Sequence, residues 1–112
     1  MRVTVGMGDF LASFSPKGFE RFTQAKNYDV TFTGAEANVL VSLSRFGLPT
    51  RFVTRLPETD IGDAALMQLN AFRVDTSFVS RGGPRIGVLY LEKGASQRPS
   101  KVIYDRHNSS IC

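Results

Sequence analysis

The sequence predicts an α/β fold in which a parallel sheet, reached through a helical crossover, carries a separate antiparallel hairpin. Three patterns predict it. Tyr28-Asp29-Val30-Thr31-Phe32, a helical stretch from about Ala35 to Phe46, and Thr50 to Leu56 follow one another as strand, helix and strand, the order of a right-handed crossover. A second helical pattern begins at Ile61. Arg85 to Glu92 and Lys101 to Arg106 are strand-like runs, and the loop between them is too short for anything but antiparallel pairing.

Taken in order, Val3, Val5 and Met7 alternate with Arg2, Thr4 and Gly6, a half-buried strand that ends in Gly6-Met7-Gly8-Asp9. A glycine-rich turn after a strand could open a dinucleotide site. That reading is rejected, because Phe10-Leu11-Ala12-Ser13-Phe14 is extended in character, Pro16-Lys17-Gly18 is a turn, and no helix follows. Residues 19–27 are polar and read as loop with a short helical turn. Thr33-Gly34-Ala35-Glu36 fits a capping box, Thr33 accepting from the helix and Glu36 reaching back. Val39, Leu40, Leu43 and Phe46 then form one buried helical face, and Gly47 stops the helix. Pro57 to Asp60 is a turn with Asp60 as cap of a second helix, whose buried face is Ile61, Ala65, Leu69 and Phe72. Val74 to Val79 is a short connection or strand, Arg81-Gly82-Gly83-Pro84 a turn, and Lys93 to Ser100 the loop of the hairpin.

Composition narrows the function classes. The chain has 112 residues, 42% hydrophobic and 21% charged, so it is one folded domain or part of one. No run approaches the roughly 18 apolar residues of a membrane span. Met1-Arg2-Val3-Thr4-Val5 enters a strand pattern directly, and a single cysteine, Cys112, builds no disulfide framework, so a cytoplasmic protein is expected. The net charge of +4 comes from scattered residues, among them Arg45, Arg73, Arg85 and Lys101, without a basic run, and a nucleic-acid partner is not expected.

The residues able to carry chemistry sit at turns and on the hairpin. Gly34, between a strand and a helix, allows a ligand close to the backbone and to free helix N–H groups. In the last strand a period of two puts Val102, Tyr104 and Arg106 on one face and Ile103 and Asp105 on the other. Tyr104 and Arg106 offer a hydroxyl and a bidentate cation, suited to a carboxylate or a phosphate; an ordinary exposed strand face would look the same. Leu89 and Tyr90 point to opposite faces, so only one of them can line a shared pocket. Asp9 follows the first strand, where open α/β sheets bind ligands. Asp63 is a first-turn acid favoured by the helix dipole, and His107 has no partner at metal-ligand spacing.

Gly34-Ala35-Glu36-Ala37-Asn38, Phe52 to Pro57, Ile61-Gly62-Asp63-Ala64 and the long block from Leu91 to Arg106 (LEKGASQRPSKVIYDR) together resemble the N-terminal part of the ribokinase-like (PfkB) carbohydrate kinases, and within them the 2-keto-3-deoxygluconate kinase branch. The likeness runs the length of the chain. It departs from the family pattern at Thr33, where a second glycine is usual, and at Leu40, Asp9 and Ser13.

The resemblance implies the N-terminal part of a doubly wound α/β domain with a small β-sheet lid, built from the hairpin and the segments near residues 10–15 and 28–33. It implies a sugar acid as substrate, phosphorylated on the 6-hydroxyl from ATP. Gly34 and Asn38 would hold sugar hydroxyls, Tyr104 and Arg106 the keto-acid end, and Leu89 or Tyr90 would line the pocket, with Asp9 nearby. The family's catalytic Asp, in a Gly-Ala-Gly-Asp motif, and its ATP and Mg2+ sites lie in the C-terminal part, so residues 1–112 are expected to form a partial domain that carries no catalytic residue, binds no cofactor and does not turn over alone. The alternative is a non-catalytic, lid-bearing module that pairs through its lid with itself, as a homodimer, or with a full-length kinase.

Overall fold

The computed structural model describes residues 2–94 and 98–111, so Met1, Ala95-Ser96-Gln97 within the family-like block, and Cys112 lie outside the described residues. Among the described residues, eight strands and two helices follow in the order β1 (Thr4–Met7), β2 (Leu11–Pro16), β3 (Tyr28–Thr33), α1 (Ala35–Arg45), β4 (Thr50–Val53), β5 (Arg55–Leu56), α2 (Asp60–Ala71), β6 (Ser80–Arg81), β7 (Val88–Glu92) and β8 (Lys101–Asp105).

They divide into an α/β half and a lid. In the α/β half, β1 pairs in parallel with β4, and Gly6 lies opposite Phe52. The crossover therefore leaves β1, not β3, which corrects the strand–helix–strand order expected from residues 28–56. β3 belongs instead to the four-stranded lid, ordered β3-β2-β7-β8. β2 is antiparallel to β3 and parallel to β7, while β7 and β8 form the expected antiparallel hairpin. The local patterns were those of strands and a helix, but pairing is a long-range choice, and the β2–β3 excursion is inserted into the crossover.

The core explains the choice. Phe52 on β4 is fully buried, with Phe10 edge-on at 5.8 Å between ring centroids and Phe32 against Phe10 at 6.0 Å. Leu40 of α1 packs over Gly6, where a Cβ would lie 3.0 Å from its Cδ1. A glycine on β1 thus accommodates leucine at position 40.

α1 is rotated relative to its expected face, while α2 keeps Ala65, Leu69 and the partly buried Phe72 of its own. α1 buries Ala37 and Leu40, with Val41 partly buried against the same core, while Val39 and Phe46 are exposed, Phe46 at 82%. α2 buries Ala65 and Leu69 but exposes Ile61. The caps differ as well. The N-cap of α1 is Gly34 with no side-chain cap bond, so Thr33 and Glu36 do not form a capping box. The cap of α2 is Thr59, whose Oγ1 accepts from the Gly62 N–H at 3.2 Å, and Asp60 is already helical. Gly47 does end α1 as expected, with φ +82° and the paired bonds Gly47 N–H to Ser44 O and Leu48 N–H to Leu43 O.

Much apolar surface is open. The face of β1 turned away from α1 carries Val5 and Met7, the latter 72% exposed. The accessible surface is 7162 Å², against about 6,100 Å² for a compact monomer of this size. The radius of gyration of 15.1 Å likewise exceeds the roughly 13 Å of a compact chain. Parallel sheets are ordinarily covered on both faces, and here only the α1 face is. No described helix is long and apolar enough to cross a membrane.

Candidate functional site

A cleft of about 500 Å³ opens where the α/β half meets the lid, lined by Asp9, Leu11, Thr33, Gly34, Ala35, Glu36, Asn38, Leu89, Tyr104 and Arg106. Two structural facts assemble it. The turn after β1 delivers Asp9 to the N-terminus of α1. Gly34 packs so tightly on this turn that a Cβ would run into the Asp9 carbonyl oxygen, so only glycine fits without displacing the turn.

The lid supplies the opposite wall through its pleat. Leu11 lies across from Thr33, and Leu89 across from Tyr104, so all four share one face of the sheet, and Arg106 follows with the same parity. Tyr90 belongs to the other face and stacks on Phe14 at 5.7 Å. Of the Leu89/Tyr90 pair, Leu89 lines the cleft and Tyr90 does not. The face bearing Tyr90 carries the row Val30, Phe14, Tyr90 and Ile103 across all four strands.

Arg106 is placed by its neighbours. Arg85 donates to the carboxylate of Asp105 at 2.9 Å, to its carbonyl at 3.2 Å and to the carbonyl of His107, holding the chain on both sides of Arg106. Gly87 leaves room for the Arg106 Cβ, which a side chain at position 87 would meet at 3.0 Å. The guanidinium lies over the Tyr104 ring, 4.9 Å from its centroid. Its Nη1 is 3.7 Å from Asp9 Oδ2, an ion pair longer than a hydrogen bond. The Arg106 side chain is 52% exposed and that of Asp9 24%, so most of the guanidinium remains open to a ligand.

The other end of the cleft is acidic and rich in backbone donors. Asn38 Nδ2 donates to Thr33 Oγ1 at 3.3 Å, which orients its amide. With no side-chain cap on Gly34, the first N–H groups of α1 are open to oxygen atoms of a ligand. The Glu36 carboxylate lies over Gly8, 2.5–3.1 Å from where a Cβ there would stand. Burial raises the Asp9 carboxyl above its ordinary value; Arg106 and the Phe10 N–H pull it back, and Glu36 pushes it further up.

The structure therefore brings together Asp9, Gly34, Asn38, Leu89, Tyr104 and Arg106 of the residues singled out in the sequence. Leu11 and Ala35 join them without a functional signal of their own in the sequence, and Thr33 and Glu36, whose pattern predicts a cap, line the cleft as well. The resemblance puts β2 in the lid with the hairpin, but only the β2–β7 register shows that Leu11 shares the face of Leu89. Among the described residues no three His, Cys, Asp or Glu side chains are placed to hold a metal ion.

Known proteins resemble the chain along most of its length. The model of the pfkB family carbohydrate kinases matches residues 10–111. The 2-dehydro-3-deoxygalactonokinase of Haloferax volcanii is 31% identical over 107 residues, 96% of this chain and 34% of that protein. Among solved structures, a 2-dehydro-3-deoxygluconokinase from Thermotoga maritima is 48% identical with a TM-score of 0.96, covering 99% of this chain and 34% of that one. A PfkB family carbohydrate kinase from Listeria grayi is 40% identical with a TM-score of 0.95, covering 98% and 34%. The chain thus spans about a third of the length of these relatives. Its fold is the N-terminal part of a ribokinase-like α/β domain with a β-sheet lid. The chain belongs to the pfkB family of carbohydrate kinases.

Proposed function

We propose that residues 1–112 form the acceptor-binding part of a kinase for 2-keto-3-deoxygluconate or a related sugar acid, and that the chain alone transfers no phosphoryl group. The observation that carries this reading is the exposed Arg106 guanidinium at one end of the cleft, with backbone donors and the Asn38 amide at the other. A planar fork of N–H donors binds a carboxylate through two parallel bonds, which a neutral sugar cannot return. Asn38 and the backbone at Gly34 would take sugar hydroxyls, and Tyr104 and Leu89 would press on the carbon chain. The names of the relatives from Thermotoga and Haloferax, both kinases of 2-dehydro-3-deoxy sugar acids, point the same way.

ATP and Mg2+ would be held by the two thirds of a full-length family member that this chain does not span. Phosphoryl transfer depends on holding nucleotide, metal and acceptor together, so the part described here contributes acceptor position alone. In a whole enzyme the same cleft would present the 6-hydroxyl to the γ-phosphate.

The test is calorimetric titration of the chain with 2-keto-3-deoxygluconate and with a neutral ketose. Arg106→Ala should weaken the sugar acid by about tenfold or more, the scale of a hydrogen bond to a charged group, and leave the neutral sugar nearly unchanged. Equal loss for both ligands would remove the carboxylate role. ATP-dependent phosphorylation by the purified chain would remove the claim that it is inactive alone.

A second reading is favoured by one feature. The row Val30, Phe14, Tyr90 and Ile103 forms an apolar strip across the lid on the face away from the cleft, and Val30 and Ile103 are exposed. Such a strip suits pairing of two lids in a homodimer. Sedimentation of the chain and of Ile103→Lys separates this reading from the first, because only a lid dimer would be dissociated by the charge.

A further inference from the structure

We propose that Asp9 couples binding of the sugar acid to uptake of one proton: when the ligand carboxylate docks on Arg106, Asp9 changes from a competing anion into a neutral acid. The inference rests on the reading of the cleft as a sugar-acid site and adds to it a charge-balancing residue that sets specificity.

The charges lining the cleft make the case. Asp9 and Glu36 are both acids, and Arg106 is the single cation among the described lining residues. Asp9 already occupies the guanidinium, but at 3.7 Å, too far to form the short bidentate contact that a carboxylate and an arginine prefer. A ligand carboxylate reaching Arg106 would place a third negative charge in the same cleft, beside one guanidinium. Like charges within a few ångströms cannot all stay ionised at ordinary cost, and the group that most readily takes a proton relieves the repulsion.

The surroundings single out Asp9 for that proton. From α1 it faces the Glu36 carboxylate, from the end of β8 Arg106 and the phenol of Tyr104, from β7 the apolar Leu89, and from its own turn the Phe10 N–H. Asp9 is the less exposed member of its ion pair, and burial already raises its affinity for a proton in the free protein. Drawing Arg106 toward the ligand weakens the main influence that opposes this. The proton comes from the buffer, and the carboxyl so formed can donate to a ligand oxygen where the carboxylate could only accept.

The sign follows. A group whose proton affinity rises on binding makes the ligand bind best at low pH and progressively worse as pH rises from the carboxyl's free-state pKa to its bound-state pKa, above which the dependence ends. Neutral sugars bring no charge and should bind without this dependence. Asp9 would then reject anions at high pH while leaving neutral ligands untouched.

Calorimetry of the intact chain with 2-keto-3-deoxygluconate, in two buffers of different ionisation enthalpy between about pH 5 and about pH 8, reads the proton directly. The expected result is uptake approaching one proton over the same pH range in which Kd rises toward tenfold per pH unit, with both effects vanishing together above the bound-state pKa of Asp9. Asp9→Asn should abolish both the buffer dependence and the slope, and at high pH should bind the sugar acid at least as tightly as the parent. Glu36→Gln should keep the slope and move it to lower pH, and His107→Gln should leave it in place. Sugar-acid binding with no buffer dependence, or an Asp9→Asn variant that keeps it, overturns the proposal while leaving the sugar site standing. Failure of the chain to bind any sugar acid overturns both.

Discussion

Phe52 in the α/β half is fully buried, whereas every residue of β8 in the lid is exposed, Ile103 at 46%. The α/β half seals Phe52, Leu40, Leu56, Ala65 and Leu69 between β4 and the helices. The lid has one buried central strand, β2, and two strands at its edges whose side chains meet solvent on one or both faces. Most of the fully buried side chains therefore lie in the first region, and, among the described residues, the core continues into the lid only through Ala12, Phe14 and Phe32 on β2 and β3. The cleft lies between them and takes Asp9 from the first and Arg106 from the second, so neither region holds a complete site.

The sharpest way to break this contrast is a pair of truncations. Phe52→Ala should cost about 3–5 kcal/mol, since it empties a fully enclosed ring site, whereas Ile103→Ala should cost under about 1 kcal/mol. Urea denaturation of both variants checks it, and comparable losses would mean that the lid is as much a part of the core as β4. Next comes the seam between the regions. Gly34→Ala drives a methyl into the Asp9 carbonyl and should cost about 1–3 kcal/mol while abolishing sugar binding, read by melting and by calorimetry. A folded variant that still binds would show that the turn can move aside.

A smaller effect belongs to the α/β half alone. Thr59→Ala removes the side-chain cap of α2 and should lower stability by about 1 kcal/mol without altering ligand binding. The weakest effect concerns the connection behind α2. The Ser77 N–H and the Arg51 guanidinium hold the Asp75 carboxyl down at about 2, against an ordinary 3.8. A depressed acid contributes stability above its unfolded value and loses it as pH falls from about 4 toward about 2. Asp75→Asn should thus lower the urea midpoint slightly at neutral pH and leave it unchanged near pH 2; a penalty equal at both would mean that charge is not its origin.

Several features could be read before any coordinates, and for local reasons. The alternation in Lys101–Arg106 put Tyr104 and Arg106 on one face because a strand has a strict period of two, and the same rule separated Leu89 from Tyr90. Gly47 declared the end of α1 because few other residues adopt its positive φ. Helix faces were less legible. Val39 and Phe46 look like core by spacing, yet are exposed, because apolar spacing fixes a helix face only coarsely and the neighbours of α1 select Ala37 and Leu40.

By itself the sequence determined the type and approximate ends of nearly every element, the pleat that divides the lid into two faces, and membership of a sugar kinase family. Tertiary structure alone decided that β1 pairs in parallel with β4, that Gly34 rather than Thr33 caps α1, and that Asp9 meets Arg106, whereas the family resemblance already implied the place of β3 in the lid. The division has one physical cause. Dihedral preference and periodicity act over a few residues, whereas strand pairing and a salt bridge between opposite ends of the chain are settled only when the core around Phe52 closes and brings them within reach.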